Sequence, residues 1–390
     1  MLLRGLVLLW TAAACFEVNA TGLPVGKAEA EFVSGCDREP SGCAFTRLAI
    51  HQDQSFSQVD RMIFNLDASQ WRALQARASP LWQSRHACAD LERVHVEATL
   101  VRKDGHTFPV PVRRERAGLY CQLLLDSSAL DKVTPGAGAR LSIRMSQDGV
   151  RSGTGRVQGA VPFVEGMKTR LVVINGGDHA LWTDGPVIDG ARVRGPVAGG
   201  TVVDALVGSR IEGDTLRYST FQGWAEFAVA YGLRESAMRT PQGQGQPPVR
   251  VEPPPHGQRD RIEAVVAGIS RQVRYGYNET NAGAYPRRTA ADVRRSGYAD
   301  CKDYSLLLID ELHQQGIEAV SVLTGLSGRT PPSLVVPGFE WANHVLVWIP
   351  SEQVFVDLTA GAGSEMVEPA SATFGHLGFE VASGRAMVIR

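Results

Sequence analysis

The chain has 390 residues, 44% of them hydrophobic and 21% charged, and its formal net charge at pH 7 is -1. A chain of this length can bury a sizeable core and form about two or three domains, and its hydrophobic content excludes an intrinsically disordered protein. The near-zero net charge provides no general attraction to nucleic acid or to an anionic membrane surface. We therefore expect no nucleic-acid partner.

Residues 1–20 are typical of a secretory signal peptide. Arg4 supplies the positive charge, the apolar stretch 6–14 is too short to span a bilayer, and Val18-Asn19-Ala20 places small residues before a cut at Thr21. We therefore predict an exported protein, periplasmic or secreted, with no integral membrane span in the mature chain.

A lipoprotein is a second interpretation of the same segment. Ala12-Ala13-Ala14-Cys15 resembles a lipoprotein cleavage site, with Cys15 as the lipidated residue. This interpretation is disfavoured because Ala12 stands three positions before the cysteine, where leucine is usual. An uncleaved membrane anchor is the third and weakest alternative.

The remaining cysteines divide into an even set and one single residue. The even set lies in the first third of the mature chain: Cys36, Cys43, Cys88 and Cys121. In an oxidising compartment all four can form disulfides. Proximity favours Cys36 with Cys43 and Cys88 with Cys121, although three pairings are possible. Cys301 is left over, as either an inert residue or a working thiol.

Residues 21–239 are predicted to be β-rich and of sandwich type. The alternating segments 93–100 and 140–144 and the apolar run 171–174 are typical of strands, and glycine-containing turns recur between them. We expect one or two antiparallel sheet domains, interrupted by one helix over 69–78. The region carries no metal-ligand spacing and no phosphate-binding loop, so we expect no cofactor and no metal.

A linker follows over 240–258, because the segment is rich in proline, glycine and glutamine and cannot enter a core. Apolar residues at helical spacing then predict a helix over 260–273. A short helix over 289–295 has Thr289 as its cap. The basic residues beside it are expected to form a solvated face rather than a binding patch: Arg287, Arg288, Arg294 and Arg295.

Cys301 is predicted to be the first residue of a central, buried helix. Asp300 is a good N-cap, and Asp303 three positions later gives a start that resembles a capping box. The leucine-rich body is apolar nearly all round, and Gly316 ends the helix. The positive end of the helix dipole and the cation of Lys302 favour the thiolate form of the cysteine.

The segments 343–349 and 353–358 are predicted to be the two strands of a hairpin. A turn centred directly after Pro350 sets His344 opposite Asp357, so that the two residues share a face, about 5 Å apart. They can then form the hydrogen bond between a general base and the carboxylate that orients it. Three apolar residues share that face and are expected to shield the pair from water: Leu346, Trp348 and Phe355.

Residues 259–390 resemble the transglutaminase-like superfamily, which has a papain-like cysteine fold. The motif Gly/Ala-Asp-Cys-Lys-Asp and the later Gly-Ile-Glu-Ala are matched by 299–303 and 316–319, and the histidine and aspartate strands resemble 343–350 and 354–360. The resemblance covers about a third of the chain. One departure is Ala299, which replaces the glycine that is usual before Asp-Cys.

Bacterial proteins of this superfamily often carry a β-sandwich domain of unknown function before the core. Residues 27–240 fit this arrangement, and 221–227 resembles the helix that follows such a sandwich. The resemblance therefore implies an α+β fold, with an N-terminal β-rich sandwich-like region. The papain-like core over 259–390 would contain a central helix packed on an antiparallel sheet.

The resemblance also implies a cysteine enzyme that acts on a peptide or protein substrate. Cys301 would be the nucleophile, His344 the base and then the acid, and Asp357 the orienting carboxylate, in acyl transfer through a thioester to water or to an amine. The oxyanion donor would be the backbone N–H of Cys301 or the side chain of Tyr298.

Two alternatives belong to other classes of protein. The core can be a non-enzymatic binding or scaffold module, with the sandwich contacting a partner. The same cysteine, histidine and aspartate can instead ligate zinc, although this ligand combination is rare. No pattern in the sequence indicates an oligomeric state.

Overall fold

The computed structural model describes most of the C-terminal half and a set of N-terminal segments. The described residues are 31–32, 34–36, 43–50, 57–64, 82–84, 94–102, 104–117, 120–126, 140–147, 156–162, 168–188, 191–208, 211–212, 215–239, 257–276, 285–326, 328–339, 341–359 and 373–390. The predicted signal peptide with Cys15, the predicted helix over 69–78 and residues 240–256 of the predicted linker lie outside them.

The N-terminal part of the chain is built of strands. Those described are β1 (Cys43–Ile50), β2 (Ser57–Phe64), β3 (Trp82–Ser84), β4 (Val94–Val101), β5 (Thr107–Pro109), β6 (Val112–Ala117), β7 (Tyr120–Leu125), β8 (Arg140–Gln147), β9 (Gln158–Pro162), β10 (Lys168–Asn175), β11 (Leu181–Ile188), β12 (Ala191–Val197), β13 (Thr201–Gly208), β14 (Ile211–Glu212) and β15 (Thr215–Ser219). They form a seven-stranded sheet in the order β13-β10-β1-β2-β8-β4-β5, a five-stranded sheet in the order β12-β11-β15-β9 with β14 beside β11, and a three-stranded sheet in the order β3-β7-β6.

The two larger sheets pack against each other around one apolar core. Leu48 and Val173 of the seven-stranded sheet and Leu181 and Leu216 of the five-stranded sheet belong to the same buried cluster. The predicted sandwich-like region is therefore confirmed. Its predicted antiparallel pairing is wrong at one place, because β1 and β10 are parallel. Alternation of apolar residues identifies a strand but does not indicate its direction relative to a distant partner.

A disulfide joins Cys36 and Cys43, whose Cα atoms are 5.7 Å apart. Both cysteines are buried with Phe32 and Phe45 beside the seven-stranded sheet. The second predicted pair, Cys88 with Cys121, stays a prediction, because Cys88 lies outside the described residues and only the backbone of Cys121 is described, in β7.

The C-terminal part of the chain adds helices and a second type of sheet. Its described elements are α1 (Trp224–Met238), α2 (Gln258–Gln272), β16 (Arg274–Tyr275), α3 (Ala290–Ser296), β17 (Tyr298–Ala299), α4 (Cys301–Gln314), β18 (Val320–Thr324), β19 (His344–Ile349), β20 (Val354–Val356), β21 (Leu377–Glu380) and β22 (Ala386–Val388). The last five strands form one antiparallel sheet in the order β20-β19-β18-β21-β22. The fold class is α+β, as predicted. The sequence did not predict the strands β21 and β22.

Helix α4 is the central element of this part of the chain. Leu308 and Leu312 are buried in one cluster with Val347 of β19 and Ile262 of α2, so the helix packs on the sheet on one side and on other helices elsewhere. The helix ends at the predicted glycine: Gly316 has φ 72°, a left-handed conformation that glycine adopts without a steric cost.

Helix α1 packs on C-terminal residues although it precedes the proline-rich linker. Trp224 stacks on Phe379, with ring centroids 5.1 Å apart. A Cβ atom at Gly232 would lie 2.5 Å from the carbonyl oxygen of Val381, so glycine is needed for this close approach. The predicted boundary assigned α1 to the N-terminal region. We propose instead that the C-terminal unit begins near residue 224.

Two of the four clustered arginines are not on a solvated face, contrary to the prediction. Arg288 is buried and forms an ion pair with Asp303 of α4. Arg294 of α3 forms an ion pair with Glu311 of α4 and lies 3.7 Å from Asp310. The physical reason is that α3 packs against α4, whose carboxylates are buried and need cations beside them.

Candidate active site

Cys301 is the first residue of α4, as predicted, and the first turn of the helix fixes its position. The side chain of the N-cap Asp300 accepts a hydrogen bond of 3.2 Å from the backbone N–H of Asp303. The hydroxyl of Ser305 donates to the carbonyl oxygen of Cys301 at 2.9 Å. The thiol is half-buried and forms no disulfide with any cysteine in the described part of the chain. Its one accessible side can therefore meet a substrate.

Lys302 and Asp303 both form ion pairs that the prediction did not include. The ammonium of Lys302 pairs with the buried carboxylate of Asp300, the N-cap of the helix. Burial raises the pKa of Asp300 above its usual value, and the ammonium of Lys302 opposes that shift. The carboxylate of Asp303 accepts from Arg288, and the predicted capping box is therefore only half formed.

His344 and Asp357 form a buried hydrogen bond. The Nε2 atom of His344 lies 2.8 Å from Oδ2 of Asp357. The other carboxylate oxygen, Oδ1, accepts from the backbone N–H and the hydroxyl of Thr359 at 2.9 and 2.7 Å. The carboxylate is therefore held from both sides, which fixes the orientation of the imidazole ring.

The pKa values of this pair indicate a charged histidine. Burial alone would lower the pKa of His344, but hydrogen bonds to Asp357 and Cys301 and the negative charges of both raise it to about 10. Burial likewise favours protonated Asp357, yet its hydrogen bonds to His344 and Thr359 and the charge of His344 keep its pKa below the usual value. Because Nε2 faces Asp357, the ring nitrogen that remains for Cys301 is Nδ1.

The pairing register of the hairpin β19–β20 differs from the predicted register. Val347 lies opposite Val356, so the position opposite His344 is residue 359, and Asp357 falls two positions short of it. The pair still shares a face, because side chains alternate with a period of two. The prediction was wrong because the turn is centred one residue later, with Gln353 at φ 55°.

The apolar residues around the thiol belong to a different cluster from the three that were predicted to shield the His344–Asp357 pair. Leu346 and Phe355 form a separate cluster with Val322 and Ile389, against which Trp348 packs. Cys301 packs against a cluster that joins α1 to the loop before the histidine and to the histidine strand β19: its members include Phe227, Tyr231, Trp341 and Val345. Helix α1 therefore supplies part of the shield of the thiol.

Tyr298, the predicted side-chain donor to the oxyanion, lies in the short strand β17 that precedes Cys301. In the parallel pair β16–β17, Tyr298 lies opposite Arg274 and Tyr275 lies opposite Ala299, so the two tyrosines point to opposite faces. The ring of Tyr298 lies over Gly276, where a Cβ atom would be 3.0 Å from Cδ1. The backbone N–H of Cys301 stays a prediction as the oxyanion donor; it is one of the first N–H groups of a helix, which have no acceptor inside it.

Two other tyrosines that the sequence did not single out surround the thiol. Tyr275 lies over the first turn of α4, where its ring stacks on Tyr304 with centroids 6.4 Å apart. Tyr231 of α1 is fully buried, and its hydroxyl has no hydrogen-bond partner among the residues described. Burial raises the pKa of both tyrosines, and the negative charge of Cys301 raises it further, at Tyr231 after the charge of Glu235. Neither occupies a recognisable motif, so no sequence signal could have identified them.

The remaining alternatives concern a metal and a membrane. Within the described ranges, no group of three or more histidine, cysteine, aspartate or glutamate residues is arranged to hold a metal ion, so the zinc interpretation of Cys301, His344 and Asp357 gains no support. Of the helices in those ranges, none has both the length and the apolar character needed to cross a membrane.

Comparison with known proteins identifies one informative structural likeness. No protein-family model matches the chain, and no curated protein matches it. The fold is similar to the crystal structure of a protein from Parabacteroides distasonis ATCC 8503 described as a "putative protease", with a TM-score of 0.54 and 12% sequence identity. The match covers 90% of this chain and 71% of that chain. At this identity the likeness shows the fold alone.

Proposed function

We propose that this protein is an exported cysteine acyl-transfer enzyme of transglutaminase-like type that acts on peptide or protein amides. One observation carries the proposal: His344 is hydrogen-bonded to the buried carboxylate of Asp357, and Cys301, a half-buried thiol at the start of α4, is among the groups that raise the pKa of this histidine. This arrangement suits a thiolate–imidazolium pair, in which the thiolate attacks a carbonyl carbon.

The reaction would proceed through a thioester. The sulfur of Cys301 attacks the amide carbonyl, His344 donates its proton to the departing amine, and the acyl group remains on the sulfur. Water or a second amine then attacks the thioester, with neutral His344 now accepting the proton of that nucleophile. Hydrolysis and amine transfer differ only in which of these reaches the site. The fold likeness to a protein described as a protease supports hydrolysis.

The nucleophile can be tested without a known substrate. We expect iodoacetamide to alkylate Cys301 at pH 6 at least about tenfold faster than it alkylates free cysteine, whose pKa is about 8.5. Peptide mass spectrometry after reaction with equal concentrations measures both rates. His344→Gln should reduce the rate at pH 6 to that of a free thiol, whereas His313→Gln should leave it unchanged. The matched control lies at the other end of α4. A wild-type rate no higher than that of free cysteine rejects the enzyme.

The reaction class needs a second assay. Dimethylated casein incubated with a fluorescent primary amine should release peptides if the enzyme hydrolyses amides, or become fluorescent if it transfers acyl groups to amines. Cys301→Ala should abolish either product. A reactive Cys301 that produces neither outcome on any protein substrate would favour the alternative, a binding or scaffold module that retains the fold of an enzyme.

A further inference from the structure

Tyr275 carries a hydroxyl beside the candidate nucleophile that nothing else in the described structure uses. The residue is 57% exposed, which is unusual for an aromatic residue at the edge of a core. Its hydroxyl forms no hydrogen bond with another described residue. The donor is therefore available to a ligand that enters from solvent.

The backbone fixes this tyrosine in place. The short parallel pair β16–β17 sets Tyr275 opposite Ala299, two residues before the thiol, and the backbone N–H of Gly276 donates to the carbonyl oxygen of Ala299 at 2.9 Å. The strand that carries Tyr275 is thus bonded directly to the segment that leads into α4. Movement of Tyr275 relative to Cys301 would require this pairing to break.

The ring of Tyr275 packs against a residue of α4. Tyr275 stacks on Tyr304 at an interplanar angle of 15°, and Tyr304 is anchored because its hydroxyl donates to the carbonyl oxygen of Val273 at 2.7 Å. Tyr304 is one turn along α4 from Cys301. The stack therefore places the phenol at the end of α4 that carries Cys301. Within the strand pair β16–β17, Tyr275 lies on the opposite face from Tyr298.

The surrounding charges keep the hydroxyl protonated. Burial of part of the ring raises the pKa of Tyr275 above its usual value, and the negative charges of Cys301, Asp300 and Asp357 raise it further. A protonated phenol is a hydrogen-bond donor at every pH at which a cysteine enzyme works.

We propose that Tyr275 is a further catalytic residue, whose hydroxyl donates a hydrogen bond to the acyl oxygen of the substrate as negative charge develops on it. This inference rests on the proposed function. It assigns the second oxyanion donor, beside the backbone N–H of Cys301, to a residue other than Tyr298. The phenol transfers no proton: the electron pair of the C=O bond moves onto oxygen when sulfur attacks and returns when the leaving group departs.

Two reagents separate this role from a general effect on the thiol. 4-Nitrophenyl acetate acylates Cys301 through a tetrahedral oxyanion, which collapses to an acetyl thioester and releases 4-nitrophenolate. Iodoacetamide alkylates the same sulfur by displacement of iodide, and no oxyanion forms. A donor to the oxyanion therefore accelerates the first reaction and not the second.

The experiment compares Tyr275→Phe, Tyr298→Phe and the wild-type protein with both reagents. We expect Tyr275→Phe to slow the burst of 4-nitrophenolate about ten- to a hundredfold, with the alkylation rate unchanged. Tyr298→Phe, the matched exposed tyrosine of the neighbouring strand, should change neither rate. The unchanged alkylation rate also shows that the Phe variant is folded.

Any other result for Tyr275→Phe overturns the inference. The reaction of the wild-type protein tests the proposed function separately. Equal slowing of both reactions by Tyr275→Phe would mean that the tyrosine acts on the thiol and not on the oxyanion. An unchanged burst would mean that it acts on neither. If the wild-type protein gives no burst that depends on Cys301, the proposed function fails, and the role of Tyr275 fails with it.

Discussion

Arg288 and Asp303 form a buried ion pair that joins the segment before α3 to the first turn of the cysteine helix. The guanidinium also donates to the carbonyl oxygen of Tyr298 at 2.8 Å and to the hydroxyl of Ser296 at 2.9 Å. One side chain thus connects the end of α3, the strand before Cys301 and the helix that Cys301 begins. The position of the thiol depends on this connection.

Arg288→Met should destabilise the protein strongly, because it leaves the carboxylate of Asp303 buried without its cation. We expect a loss of about 3–5 kcal/mol in the free energy of unfolding, measured by urea denaturation. Arg259→Ala is the control, since it removes an exposed i,i+4 pair with Glu263 and should cost about 0.5 kcal/mol or less. The burial argument is wrong if the two variants lose similar amounts.

Asp357→Asn should make Cys301 less reactive while leaving its surroundings intact. The substitution preserves the shape of the side chain but removes the charge that raises the pKa of His344. An imidazole that has lost its proton no longer stabilises the thiolate, so the thiol returns towards the ordinary pKa of a free cysteine, about 8.5, and its thiolate fraction at pH 6 falls by more than about tenfold. We therefore expect alkylation by iodoacetamide at pH 6 to slow by about tenfold or more.

Thr359→Val is the matched control for the carboxylate. It removes the hydroxyl that donates to Oδ1 of Asp357 but leaves the backbone N–H of the same residue and the contact with His344. Its alkylation rate should stay within about threefold of wild type. Equal effects of Asp357→Asn and Thr359→Val would contradict an electrostatic role for Asp357.

The elements of the site were predictable where local signals act, and their contacts were not. The N-cap Asp300, the cap Thr289 and the terminal Gly316 each act through their own backbone neighbourhood, so the sequence identifies them. The turn before Asp357 is centred one residue later than predicted, with Gln353 in a left-handed conformation. Nothing in the sequence indicates that conformation, so the shift could not be predicted. An error of one residue in the centre of a turn changes which residues lie opposite each other along the whole hairpin.

Contacts between distant segments explain the other differences. Arg288 resembles its exposed neighbour Arg287 in the sequence, and only the packing of α3 on α4 determines which of them is buried. We propose that helix α1 belongs to the C-terminal unit although it precedes the linker, because proline content indicates an extended segment and not the surface on which the preceding helix packs. The resemblance identified Cys301, His344 and Asp357 as candidates, but neither it nor periodicity indicated Tyr275.

The stability of the protein should fall as the pH rises from neutral towards 10. The folded-state pKa of His344 is raised to about 10, above its unfolded value of about 6.5. The native state therefore holds a proton that the unfolded state has lost in this window. The stabilisation is fully present below pH ~6.5 and is lost as the pH rises through the folded-state value. Urea denaturation at pH 6, 8 and 10 measures it.

His344→Gln provides the reference for that pH dependence. The variant cannot bind the proton, so its free energy of unfolding should change less between pH 6 and 10 than that of the wild-type protein. Cys301→Ser should also flatten the curve, since the charge of the thiolate is one of the two that raise the histidine pKa. Identical slopes for wild type and His344→Gln would show that the imidazole is not protonated in the native state.

Tyr304 and Tyr231 offer a matched test of two buried phenols near the thiol. The hydroxyl of Tyr304 donates to the carbonyl oxygen of Val273 at 2.7 Å, whereas that of Tyr231 has no partner within the described ranges. Tyr304→Phe should cost about 1–2 kcal/mol, because the buried carbonyl loses its donor. Tyr231→Phe should be neutral or stabilising by up to about 1 kcal/mol, because the variant no longer buries an unsatisfied group. Both values come from urea denaturation at one pH. If Tyr231→Phe costs as much as Tyr304→Phe, the hydroxyl of Tyr231 has a hydrogen-bond partner in solution, and the argument from an unsatisfied group is wrong for this residue.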